Sequence, residues 1–211
     1  MKSTRKRKKV CVNKGSWPRP VQAGFFVLME NPPRNRYNDS NRPLEEVVNL
    51  AKIAKTNAMR LLDAQKIPYG MLSYEVKDGK IDGISVAAKI GKPPEAVYKT
   101  LVTQGHSGEL YVFVIPVAAE LDLKKAAKAA GEKKIEMIHV KDIQKYTGYM
   151  RGGCSPIGMK KHYVTFVDES AATLDEIVVS AGKIGTQITL SPQGLLEAAH
   201  ARYAALTQET R

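Results

Sequence analysis

Residues 97–117 read VYKTLVTQGHSGELYVFVIPV. Two runs rich in β-branched and aromatic residues flank the polar turn GHSG at 105–108, the pattern of an antiparallel hairpin. Period-two alternation puts Val97, Lys99 and Leu101 on one face of the first run, and Tyr98, Thr100 and Val102 on the other. Both faces are mostly apolar, so the strand is expected within a sheet and covered on both sides. Lys99 is the exception. A sheltered ammonium needs a carboxylate or a bound anion. A lysine on an edge strand merely runs its stem out to water. Lys99 is therefore the first candidate for chemistry, with snorkelling as the plain alternative.

Outward from the hairpin, helices and strands interleave. Thr56 or Asn57 is expected to cap a helix carrying Met59, Leu61 and Leu62 and ending near Gln65. Ile67–Val76 reads as a strand, KDGK at 77–80 as a turn, and Ile84–Ile90 as a short helix stopped by Gly91. Beyond the hairpin, Asp122 caps LKKAAKAA, closed by Gly131. IEMI at 135–138 is strand-like and VKDIQKYTG at 140–148 helical. Strands follow at 162–168, 176–181 and 186–190. Ser191-Pro192 then opens a last helix expected to run to about Leu206. Without strict βαβ regularity, the order predicts an α+β domain with a mixed sheet. About 155 residues suffice for one real core.

The first 49 residues differ from the rest. They hold 11 Lys/Arg against 4 Asp/Glu, +7 of the chain's net +12, together with five of the eleven prolines and the single Trp. With no sustained period they read as a disordered basic extension, either an RNA-binding arm or a tail without a role. A third reading is that Glu45-Glu46-Val47, if encoded GAG GAG GTG, holds a ribosome-binding sequence ahead of a TTG start at Leu50. Residues 1–49 would then be leader, and 50–211 the translated domain. That remainder carries only +5, a mild bias toward polyanions. VQAGFFVLM at 21–29 is too short to span a bilayer, and NPPRNRYNDSNRP follows it in place of a cleavage site. Cytoplasmic residence is expected, with no membrane partner. Cys11 and Cys154 form no disulfide framework and the four histidines no cluster, so neither a metal nor a cofactor is expected.

The second candidate is the loop GYMRGGCSPIGMKK at 148–161, four glycines beside three cations and no carboxylate. Amides at Gly152-Gly153-Cys154-Ser155-Pro156 can converge on an anion or carbonyl oxygen, although most glycine-rich turns are only turns. The spacing is not that of a phosphate-binding P-loop. Cys154 has no histidine near it in sequence and reads as an incidental small residue. A further glycine run, SAGKIG at 180–185, joins two strands.

Taken in order, TNAMRLLDAQKIPY, VYKTLV, LDLKKAAKAAGEKKIEM, TGYMRGGCSPIGMKK and VVSAGKIGTQITLSPQGL resemble the YbaK/EbsC family of aminoacyl-tRNA deacylases over residues 54–208. The resemblance implies a single α+β domain like the editing insertion of bacterial prolyl-tRNA synthetase, with a central sheet or partial barrel flanked by helices. It implies substrate-assisted removal of cysteine from Cys-tRNA(Pro), with prolyl-tRNA synthetase as a partner. Lys99, Gly152 and Gly153 would be catalytic, and Tyr74, Thr100, Ser155, Pro156, Ser180 and Gly182 would bind substrate. Ile81-Asp82-Gly83 stands where many members carry an aromatic residue, which leaves the pocket's preferred aminoacyl group open. Alternatives are a deacylase for alanyl or seryl esters, or an RNA-binding module without catalysis.

Overall fold

The computed structural model describes residues 54–208; the readings made on residues 1–49 lie outside that range. Five helices and two sheets form an α+β domain. Helix α1 (Asn57–Gln65) starts where the Thr56 hydroxyl accepts the Met59 amide at 3.3 Å, and it ends on Lys66 in the left-handed region. Helix α2 (Gly83–Lys89) is capped by Asp82, α3 (Leu123–Ala130) by Asp122 and α5 (Pro192–Ala199) by Ser191. Each cap side chain accepts an otherwise orphaned first-turn amide. The segment expected as one helix at 140–148 is a tight turn at Val140–Asp142 followed by α4 (Ile143–Thr147).

The hairpin of β2 (Tyr98–Gly105) and β3 (Leu110–Pro116) lies at the centre of the larger sheet. Its order is β4 (Ile135–Met137), β2, β3, β5 (Val164–Asp168) and β8 (Arg202–Ala204). β3–β5 and β5–β8 are parallel and the remaining pairs antiparallel. The smaller sheet is antiparallel, in the order β1 (Gly70–Ser73), β7 (Thr186–Leu190), β6 (Ile177–Lys183). A single parallel bridge, Val97 to Val178, joins the two sheets. They do not close into a barrel, which corrects the partial-barrel expectation.

Three apolar clusters fill the layers. One lies among α1, α5 and the two sheets, around Met59, Leu62, Ile157 and Ile188. A second packs α3 on the larger sheet, where the Phe113 and Phe166 rings stack at 5.3 Å. The third, Ala87, Val97, Val117 and Val178, pins α2 onto the bridge between the sheets.

Two boundaries differ from expectation. β1 covers only Gly70–Ser73 of the expected 67–76, because its partner β7 begins at Thr186 opposite Ser73. The last helix ends at His200 (φ 49°), and Arg202–Ala204 instead pairs with β5. The open edge of β5, the burial of Leu206 and the Arg202 guanidinium 4.6 Å from the Phe166 ring outweigh helix propensity there.

Candidate active site

The bridge decides where the site forms. Lys99 and Ser180 each lie two residues past it on neighbouring parallel stretches, so they flank the same space. That space is a cavity of about 130 Å³. β2 supplies Tyr98, Lys99 and Thr100 to its wall, and the smaller sheet supplies Ser180 and Gln187. The α2 end closes it with Ile81, Gly83 and Val86, and the glycine loop with Gly152 and Cys154.

The Lys99 ammonium, half-buried, donates to the Val117 carbonyl at 3.2 Å and has no carboxylate partner among the described residues. It is thus neither neutralised nor turned fully to water, and one strong donor direction is taken. Beside it the Thr100 hydroxyl oxygen is buried without a hydrogen-bond partner. Gln187 is 6% exposed, and its carboxamide makes no hydrogen bond among the described residues. Buried polar groups are nearly always paired, since leaving one unpaired costs roughly 1–3 kcal/mol. Two such groups on one small cavity mark a place built for a polar guest. Ser180 accepts the Gly182 amide at 3.3 Å and keeps its own O–H to donate.

The glycine loop is held by tertiary contacts. Gly152 has φ +80°, and a Cβ there would lie 2.7 Å from Ile81 Cδ1, so glycine lets Ile81 close over the loop. Gly153 packs on the backbone of Lys183 and Ile184, tying the loop to the β6–β7 turn. Its amide donates to Met150 at 3.0 Å, so the open-amide reading applies to Gly152 and Cys154 but not to Gly153. Gly182 (φ +93°) lies against the Tyr149 ring, whose hydroxyl donates to the Ile157 and Gly158 carbonyls at 2.7 and 3.0 Å. Burial pushes the Tyr149 phenol up to about 12. Burial likewise pushes the Cys154 thiol up to about 11, against a hydrogen bond with Thr147 that lowers it, so the thiol is a poor nucleophile at neutral pH.

Of the residues singled out in the sequence, the cavity gathers Lys99, Gly152, Thr100 and Ser180, with Gly153 and Gly182 directly behind. Ser155 is fully buried and its hydroxyl accepts the Ile157 amide at 3.2 Å, which shapes the loop. Pro156 is turned away, lining a separate hollow beside α1. Tyr74 does not line the cavity; its hydroxyl is buried without a partner, and the Lys89 ammonium lies 5.8 Å from its ring. Gln187 and Ile81 were missed. The signal for Gln187 was present, since it is a long polar residue inside the apolar strand TQITL. Asp82 only caps α2, and the Ser85 hydroxyl and amide hold its carboxyl below the usual range.

The profile of the aminoacyl-tRNA editing domain matches residues 82–198, spanning the cavity from Gly83 to Gln187. The chain belongs to the aminoacyl-tRNA editing domain family. An Enterococcus faecalis relative bearing the name Cys-tRNA(Pro)/Cys-tRNA(Cys) deacylase EbsC is 46% identical over 153 residues, 72% of this chain and 93% of that one. Two solved structures share the editing-domain fold. One, described as a trans-editing enzyme for prolyl tRNA synthetase, superposes with TM-score 0.64 at 21% identity over 74% of this chain and 100% of its own. The other, the hypothetical protein APE2540, reaches TM-score 0.67 at 22% identity over 72% and 100%. Among the described residues of this editing domain no helix is long and apolar enough to cross a membrane, and no group of three His, Cys, Asp or Glu could hold a metal ion.

Proposed function

We propose that this chain is a trans-editing aminoacyl-tRNA deacylase whose preferred substrate is the cysteinyl ester of tRNA(Pro). The observation that carries this is the cavity itself. At about 130 Å³ it is far smaller than the ~300–1,000 Å³ of sites for drug-sized ligands, and it suits one small amino acid. Its polar groups are unpartnered at Thr100 and Gln187, and a cation, Lys99, stands at its wall.

No side chain around the cavity is set up as a nucleophile. The Cys154 thiol is held protonated, and no histidine lines the cavity to activate Ser180. In this reading the substrate supplies its own nucleophile. The cysteinyl sulfur attacks its carbonyl carbon, a C–S bond forms and the ester C–O bond breaks. The thiol proton ends on the ribose oxygen that leaves with the tRNA, and a thiolactone is released for water to open. The free amides of Gly152 and Cys154 face the developing oxyanion. Lys99 holds the ribose end, and the confined cavity keeps sulfur and carbonyl together. Selection of tRNA(Pro) falls to prolyl-tRNA synthetase, because the editing domain is too small to read an anticodon as well as an acceptor end. The domain is assigned to residues 50–211 and to the cytoplasm.

The test is deacylation of Cys-tRNA(Pro) and Ala-tRNA(Pro) by the full chain and by its Lys99→Ala variant, with circular dichroism to confirm folding. Cleavage of the cysteinyl ester alone, lost in a folded variant, supports the reading. Equal cleavage of both esters refutes thiol assistance, and cleavage of neither refutes the deacylase assignment.

A further inference from the structure

On the other side of Lys99 lies a second, much larger hollow of about 670 Å³. Strand β2 is the partition between the two. Thr100 lines only the small cavity, Leu101 lines only the large groove, and Lys99 lines both. The remaining apolar wall of the groove comes from Leu123 at the start of α3 and Met137 at the end of β4. These are among the few large apolar side chains left in water, at 42% and 49% exposure. Two acids, Glu120 and Asp122, and two cations, Lys99 and Lys124, line the groove, so its fixed charge is balanced.

We propose that this groove is the subsite for the 3′-terminal nucleoside of the tRNA, resting on the deacylase reading above. An aminoacyl ester is a small group and a nucleoside joined through one ribose oxygen. The molecule offers a small cavity and a nucleoside-sized groove joined at one lysine. The groove's volume falls within the range of small-molecule sites, whereas the cavity's does not. An apolar wall suits the face of a base, which stacks without regard to sequence. Balanced charge suits a neutral nucleoside better than a phosphate. The phosphodiester instead meets the exposed cations Arg151 and Lys183 beside the glycine loop, neither of which has a carboxylate partner among the described residues. Leu123 and Met137 are specificity-determining contacts in this arrangement, distinct from the groups that face the ester.

The experiment uses the full chain with ¹³C-methyl methionine and uncharged tRNA, either intact or lacking only its terminal adenosine. Met137→Leu assigns the Met137 methyl signal, and Met59, buried at 1% exposure, is the internal control. Intact tRNA is expected to shift the Met137 methyl upfield through the ring current, and truncated tRNA to leave it in place. Leu123→Glu is expected to raise KM for the aminoacyl-tRNA by about tenfold, at the low end for one base contact, with kcat little changed. Equal shifts with both tRNAs, or none with either, overturn the proposal. Because the spectra need no turnover, a shift specific to the intact end would uphold the groove even if no ester were cleaved.

Discussion

Replacing Thr100 by valine separates stability from function at this site. The hydroxyl oxygen is buried on the cavity wall and has no partner among the described residues. Valine keeps the branched shape and removes the polar atom. An unpaired buried hydroxyl costs roughly 1–3 kcal/mol, so Thr100→Val should stabilise the fold by about 1 kcal/mol. For a domain of this size that raises Tm by roughly 2–4 °C. Catalysis should move the opposite way. If the hydroxyl meets the charged α-ammonium of the aminoacyl group, its loss removes roughly 1.5–3 kcal/mol, a fall of ~10–100-fold in kcat/KM. The assays are calorimetric unfolding of the full chain and initial rates on Cys-tRNA(Pro). A variant that unfolds earlier than the parent would show that the hydroxyl is paired in the native state. Unchanged kcat/KM would show that it never meets substrate. Either result refutes the reasoning.

Other outcomes follow from the same geometry. Cys154→Ala should retain substantial activity, whereas near-complete loss in a folded variant would make the thiol a nucleophile. The folded pKa values of Cys154 (9.0 to about 11) and Tyr149 (10.0 to about 12) are raised, so both groups favour the protonated native state. Their contribution is full below about pH 9 and is lost as pH climbs to about 11 and 12 respectively. Urea midpoints measured from pH 8 to 11 should fall with pH, and less steeply in Cys154→Ala; a flat parent profile would contradict the burial. Gly182→Ala should destabilise by roughly 2–4 kcal/mol, from the positive φ and from overpacking against Tyr149 Cε1, 2.6 Å from the new Cβ. A loss below about 0.5 kcal/mol in chemical denaturation would mean that the turn adapts freely. Arg151→Ala with Lys183→Ala should weaken tRNA binding and reduce the slope of log K against log salt by up to about 2; an unchanged slope would place the phosphates elsewhere.

Much was legible in the sequence because it is written locally. Thr56, Asp122 and Ser191 cap helices through side chains two or three residues from the amides they serve. Gly131 and Gly148 end helices through their own left-handed φ. Lys99 stood out because it interrupts a period of two. Each of these signals needs only near neighbours in the chain. The site residues that could not be read depend on distant ones. Whether Gly153 or Gly152 offers its amide rests on a hydrogen bond to Met150 and on packing against the 183–184 turn. Pro156 turns toward α1, and Ser155 folds its hydroxyl back onto Ile157. Residues 202–204 form a strand because β5 has an unpaired edge, which no local propensity reports. The sequence by itself determined the secondary elements, the lysine and the mobile-φ glycines, since backbone preference and side-chain period act over a few residues. Only the tertiary structure decided that Lys99, Thr100, Ser180 and Gln187 share one cavity. That convergence rests on the Val97–Val178 bridge, a contact between strands far apart in the chain.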